Sequence, residues 1–222
     1  MESYYLIILA LAIVFLILVY AILKLFEVKI TKTSFTTKQI TGAAVLATVE
    51  LIMIVVSNYT AIGPVNMNLS LVPIAVGALL YGPAVGAFLG FLNGMVTIVS
   101  PSTLGFFMTI SPLGTVLVCL IKTTVAGLVA GFVFRAFKKK RFVGALISSL
   151  LVPIINTSIF IGGSYLFFQS WLNAGAQGYD GNTFMFLLIA VVGWNFLIEL
   201  GIEILLSPSV YSVVSYFSRK RD

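Results

Sequence analysis

Few residues in this chain can do chemistry, and most of those sit inside long apolar runs. Lys122 lies about ten residues into the run 112–137, Glu50 lies near the middle of 39–56, and Glu199 and Glu203 are four apart in 184–206. A charge at mid-membrane depth is costly, so each is a functional candidate by default. A spacing of four puts Glu199 and Glu203 on one helix face. Lys122 has two readings. One is a structural ion pair with Glu50 or Glu199 that holds helices in register. The other is a contact for the anionic group of a substrate. Glu203 reads as a residue reaching the inner interface or a partner. Asn93, Asn156 and Asn195 also fall near the middle of their runs. Each amide alone suits a hydrogen bond between helices, but three amides and a lysine at similar depth point to a common polar cavity. Trp194, beside Asn195, offers a stacking face or plain packing. Segments between the runs add Asn58, Tyr59, Asn66, Asn68, Ser70, Phe106, Phe107, Thr109 and Ser111. They read either as solvated loop or as a lid over a pocket.

The residues needed for catalysis do not come together. There is no histidine, and HExxH, GxSxG and paired intramembrane aspartates are lacking. Ser100 and Ser111 have no histidine base. Neither a catalytic role nor a metal or cofactor site is expected. No nucleotide-binding loop is present, so ATP hydrolysis would have to come from another chain. The single cysteine, Cys119, excludes an intrachain disulfide. The net charge of +6 invites a nucleic-acid reading. The basic residues fall at the ends of apolar runs, however, where they set membrane topology, so no nucleic-acid partner is expected.

The chain is 60% hydrophobic and 9% charged, with a mean hydropathy of +1.13. That places it in the membrane class. A spanning helix needs about 20 apolar residues, so 222 residues allow six or seven spans and little else. Spans are expected near 4–26, 39–56, 69–80, 84–99, 112–137, 142–168 and 184–206. The first could be a signal peptide. It has Glu2 and no basic residue ahead of it, and no small-residue cleavage site follows, so a retained helix is expected. The span near 69–80 is short and ends at Tyr81-Gly82-Pro83, a tight turn. Gly86, Gly90 and Gly94 form a small-residue stripe that lets a neighbouring backbone come close. Segments 100–111 and 169–183 read as outer loops, with Trp171 and Tyr179 suited to an interfacial aromatic belt. Of the 13 Lys and Arg, all but Lys122 fall on or beside segments that this scheme puts in the cytoplasm. The N-terminus is then outside and the C-terminus inside. The natural division is an added helix with its basic linker, 1–38, and a six-helix core, 39–222.

Three stretches carry a resemblance to a known family. The first is Ala43-xxx-Ala47. The second is NLSLVPIAVGALLYGPAVGAFLGFLNG, from 68 to 94. The third is the run from Ser111-Pro112 to AGLVAGFVFRAFKKK. Together they resemble the substrate-binding S components of energy-coupling factor (ECF) vitamin transporters. The resemblance implies a six-helix, all-α integral membrane fold, here with one extra N-terminal transmembrane helix. It implies tight binding of a vitamin or vitamin precursor near the outer face of a prokaryotic plasma membrane. It also implies a transmembrane coupling subunit and two ATPases as partners, with reorientation of the S component to release substrate. Ala43 and Ala47 match the family's docking motif for the coupling subunit. The family's pocket would fall on 58–70, 109–122, 156–164 and 182–195. From these segments and the spans, Asn66, Asn68, Ser70, Asn93, Ser111, Lys122, Asn156, Trp194 and Asn195 are the expected substrate contacts. Amides, hydroxyls and one cation suit a flexible, hydroxylated carboxylate such as pantothenate better than a flat ring, which favours stacking side chains. The central segment also resembles pantothenate-type S components. The competing reading is a self-sufficient secondary transporter of a small organic anion. Such folds often show repeats and broken helices, and no clear repeat between halves is visible here.

Overall fold

The computed structural model describes residues 36–57, 59, 61–62, 65–66, 68–137 and 139–219. The expected span near 4–26 lies outside them, as do Asn58 and Lys138. The chain divides into two compact units, residues 1–40 and 41–222. Of the first unit, residues 36–40 are described, and they start a helix with a capping box. Thr36 N–H donates to Gln39 Oε1 at 3.0 Å, and Gln39 N–H donates back to Thr36 Oγ1 at 3.4 Å.

The described residues are helical apart from turns and one hairpin of two-residue strands. Helix α1 (Thr37–Ser57) leads to strands β1 (Ala61–Ile62) and β2 (Val65–Asn66). Helices α2 (Leu71–Tyr81), α3 (Pro83–Ile98), α4 (Pro112–Ala136) and α5 (Arg141–Phe167) follow. The short α6 (Gln169–Ala176) precedes a last span that begins at Thr183, passes through a π-helical stretch at Phe186–Val192 and continues as α7 (Gly193–Arg219). Among the described residues, 37–57, 112–136, 141–167 and 183–216 are each long and apolar enough to cross a membrane. A fifth span arises if α3 and the bent segment Thr103–Ile110 are taken together. α2, with 11 residues, rises only about 16 Å, short of the ~30 Å hydrocarbon core, as its sequence indicates.

The glycine stripe does what its spacing predicts. A methyl group on Gly90 would lie 2.1 Å from the Thr123 carbonyl oxygen, and one on Gly94 would lie 2.5 Å from that of Cys119. Gly86 and Gly127 face each other in the same way. α3 and α4 therefore meet backbone to backbone, and Thr123 Oγ1 donates to the Gly90 carbonyl at 2.5 Å. At the turn between α2 and α3, Gly82 has φ 100° and the Arg135 guanidinium occupies the space a side chain would need. A non-glycine residue there would be both strained and blocked.

Both segments expected as outer loops are partly helical. Pro101 restarts a helix after Ser100, whose hydroxyl donates to Thr97 O at 2.8 Å and to Thr103 Oγ1 at 2.9 Å. The segment bends 62° from α3 and buries Thr103 and Phe107 four apart. α6 buries Leu172 and Ala176, again four apart. Gly175 serves packing rather than turning, since a methyl there would lie 2.2 Å from the Phe186 ring. The turn itself is confined to Asp180 and Gly181, both with positive φ. Trp171 and Tyr179 join Phe106, Phe107, Phe160, Phe168 and Phe186 in one aromatic cluster, with ring centroids 5.0–5.9 Å apart.

The last span runs past its expected end at 206. Pro208 has no N–H to give to the Ile204 carbonyl, and the Ser207 hydroxyl donates to that carbonyl at 3.0 Å instead. Val210 and Val214 then bury in the main core with Leu71, Ile74, Val85, Leu89 and Val152. That burial holds the extension in place.

Candidate functional site

A cavity opens between four elements, with about 360 Å³ of space counted out to its mouth. Asn68 lines it from the segment ahead of α2, and Lys122 from α4. α5 contributes Asn156, Thr157 and Phe160. The last span contributes Val191, Val192, Asn195, Phe196 and Glu199. On α5 the three residues fall within one helical turn, and on the last span they recur every turn. The π-helical stretch, with its wider turn, places neighbours Val191 and Val192 on the same wall.

The polar groups differ in how they are held. Lys122 Nζ stands 5.7 Å from the Phe160 ring centroid, a cation–π contact. Glu199 Oε1 accepts the Asn68 backbone N–H at 2.7 Å, and Lys122 is near enough to act on the same carboxylate. Of the two ion-pair partners weighed for Lys122, Glu199 is therefore the one that shares its cavity. Glu50 takes no hydrogen bond among the described residues; its carboxyl lies near Asn93. Asn156 is 5% exposed, and its Oδ1 has no hydrogen-bond partner among the described residues.

Behind Asn68 lies a closed polar ring. Ser70 Oγ donates to Asn68 Oδ1 at 2.5 Å, Asn68 Nδ2 donates to Asn93 Oδ1 at 3.3 Å, and Asn93 Nδ2 donates to Ser70 Oγ. Next to it, Leu69 N–H donates to Ser57 Oγ at 3.2 Å, tying the segment to α1. Ser70 and Asn93 are fully buried and do not line the cavity. Their place is to fix the residue that does.

Of the expected contacts, Asn68, Lys122, Asn156 and Asn195 come together. Ser111 lies elsewhere, capping α4 by accepting the Gly114 N–H at 3.3 Å. Asn66 pairs with Ala61 in the hairpin. Trp194 is 67% exposed on the outside of the bundle, one residue from Asn195 but on another face. The expected docking pair, Ala43 and Ala47, lies on α1. Ala43 is buried, and Ala47 packs against the same core cluster. α1 turns Glu50 and Ser57 inward, and Ala43, seven residues before Glu50, shares that face by helical period. Ala44 and Thr48 are exposed on α1, linked by a bond from Thr48 Oγ1 to Ala44 O at 3.0 Å. Glu203, expected at an interface, is 1% exposed inside the bundle, and its oxygens have no hydrogen-bond partner among the described residues.

The individual contacts named from the sequence leave out Glu199, Thr157 and Phe160, although Glu199 is weighed there as a partner of Lys122 and 157 and 160 fall within the segment 156–164. Helical spacing from Asn156 and Asn195 was the available signal, since Phe160 and Glu199 each lie four residues on.

The comparisons agree with this architecture. The chain is 27% identical over 186 residues to the "Pantothenic acid transporter PanT" of Lactococcus lactis subsp. cremoris (strain MG1363), covering 75% of this chain and 90% of that protein. No solved structure matches. The family model for the ECF transporter, substrate-specific component, matches residues 38–211. The chain therefore belongs to the family of substrate-specific components of ECF transporters, multi-pass membrane proteins that select a transported substrate.

Proposed function

We propose that this chain captures pantothenate on the outer side of the membrane. It delivers the vitamin by reorienting in complex with a transmembrane coupling subunit and two ATPases. The observation that carries the reading is the cavity, where Lys122 stands with Asn68, Asn156, Thr157, Asn195 and Glu199 beside four apolar residues. A cation and several amides suit a hydroxylated carboxylate. Two rings, Phe160 and Phe196, also line the wall, and Phe160 is engaged by Lys122. The likeness to a pantothenate transporter supports the same reading. In this scheme residues 1–38 form an added helix and linker ahead of a six-helix domain, 39–222, with the N-terminus outside and the C-terminus in the cytoplasm. Asn68, Lys122, Asn156 and Asn195 meet the substrate. Ser70 and Asn93 support Asn68.

The test is binding and transport. Purified chain should be stabilised by pantothenate, because a ligand bound only by the folded state raises apparent stability. Uptake into vesicles should require the coupling subunit, the ATPases and ATP. Lys122→Ala should lower pantothenate affinity by about tenfold or more, the scale of a lost charge-assisted bond. Unchanged binding would make Lys122 structural. Uptake by the isolated chain on an ion gradient alone would favour a secondary transporter.

A further inference from the structure

Six of the cavity's lining residues are polar: Asn68, Lys122, Asn156, Thr157, Asn195 and Glu199. Lys122 is the one cation among its lining residues. The Glu199 carboxyl and Asn156, with its buried side-chain oxygen, are acceptors among the same lining residues. The Asn68 N–H fills one of the carboxylate's acceptor positions, of about four that a carboxylate has. The Asn156 Oδ1 is buried with no hydrogen-bond partner among the described residues. A buried acceptor left without a donor is unfavourable, and both residues line the space a ligand would enter, so a small side-chain rotation would offer the Asn156 oxygen to it. Glu50 and Glu203 are also buried, but neither lines the cavity, so they cannot serve a ligand there.

We propose that the cavity is a bipolar site for a monoanion that carries hydrogen-bond donors away from its charge. The anion meets Lys122, and hydroxyl or amide N–H donors meet Glu199 and Asn156. Glu199 is then a specificity-determining residue, a role that rests on reading this cavity as the substrate site. The site selects by repulsion as well as by attraction. A second carboxylate on the ligand would approach Glu199, and a cationic ligand would approach Lys122. The remaining wall, with Phe160, Val191, Val192 and Phe196, suits an aliphatic middle.

The test uses the purified full chain in detergent, with Kd and thermal stabilisation measured for five probes. Pantothenate and biotin are monoanions with donors, thiamine is a cation, riboflavin is neutral and folate is a dianion. Glu199→Gln is the main variant. A glutamine oxygen still accepts the Asn68 N–H, so the loop stays held while the charge goes. A pantothenate analogue lacking one hydroxyl is the partner probe, and Asn156→Ala is a second variant that spares Glu199. The expected result is tightest binding by a donor-bearing monoanion and a loss of about tenfold or more in Glu199→Gln. That loss should shrink for the deoxy ligand in either Glu199→Gln or Asn156→Ala. Thiamine, riboflavin or folate as the tightest ligand would overturn the proposal. So would binding by neither monoanion, or equal losses for the hydroxylated and deoxy ligands in both variants. Biotin binding without pantothenate binding would refute the pantothenate reading and leave the bipolar site standing.

Discussion

Gly90→Ala tests the packing that positions the cation. The added methyl would sit 2.1 Å from the Thr123 carbonyl oxygen and 2.8 Å from the Thr124 nitrogen. Both are backbone atoms of a regular helix, so neither can swing aside as a side-chain end could. Reaching an ordinary contact of 3.4 Å requires α3 and α4 to part by about 1.3 Å. Overpacking of this kind costs about 1–3 kcal/mol. The same movement stretches the 2.5 Å bond from Thr123 Oγ1 to the Gly90 carbonyl, worth about 0.5–1.5 kcal/mol. Against this, alanine is the better helix former by about 1 kcal/mol. The net loss is about 0.5–3.5 kcal/mol. Gly162 on α5 and Gly201 on α7 are the controls, because nothing lies within 4 Å of a methyl at either. Alanine there should be neutral or stabilising by up to about 1 kcal/mol. The assay is thermal unfolding of each variant in one detergent, with substrate affinity read alongside. Lys122 adjoins Thr123, so Gly90→Ala should weaken binding as well. If Gly90→Ala unfolds with the two controls, the backbone-to-backbone contact is not what joins α3 to α4, and the reasoning fails.

Three further outcomes are expected. Asn93→Ala opens the ring around Asn68 and strands buried partners at Ser70 and Asn68, costing about 1–3 kcal/mol; substrate affinity should fall although Asn93 does not line the cavity, and unchanged affinity and stability would mean the ring holds nothing. Glu203→Met replaces a carboxyl that has no hydrogen-bond partner among the described residues with an apolar chain of similar volume, so unfolding should shift upward or stay put; a clear loss of stability would reveal a partner for Glu203. Trp194→Ala should leave affinity within about twofold, because surface changes away from a site are near neutral and the ring points outward; a large loss would put Trp194 back among the substrate contacts.

Much of the fold was legible because small and polar residues mark the inward faces. The stripe of Gly86, Gly90 and Gly94 announced the α3–α4 contact, and Tyr81-Gly82-Pro83 announced the turn before it. The amides and the lysine announced a cavity, and four of the expected residues line it. What escaped was the order within the two outer segments. Asn173, Gly175, Gly178 and Gly181 look alike as turn residues. Only Gly181 turns the chain, while Gly175 accommodates Phe186. Burial of Leu172 and Ala176 decided for helix, and that depends on a neighbouring element. The bond from Asn68 to Glu199 joins residues 131 apart in sequence, beyond the reach of any local pattern.

The misplaced residues have one cause. In water a helix buries its apolar face and shows its polar one, so periodicity reports orientation. In a membrane both the bundle interior and the lipid are apolar, so the same periodicity fades. α1 is apolar nearly all round. Glu50 and Ser57 are costly to leave in lipid and turn inward, and Ala43 is buried on the same face. Trp194 follows the same logic from the other side. Asn195 and Glu199, four apart, lie on the cavity wall with Phe196 beside them, and Trp194, on the other side of Asn195, falls on the exposed face. In such a chain the costly residues are the ones to place first, because they leave the cheap ones little choice.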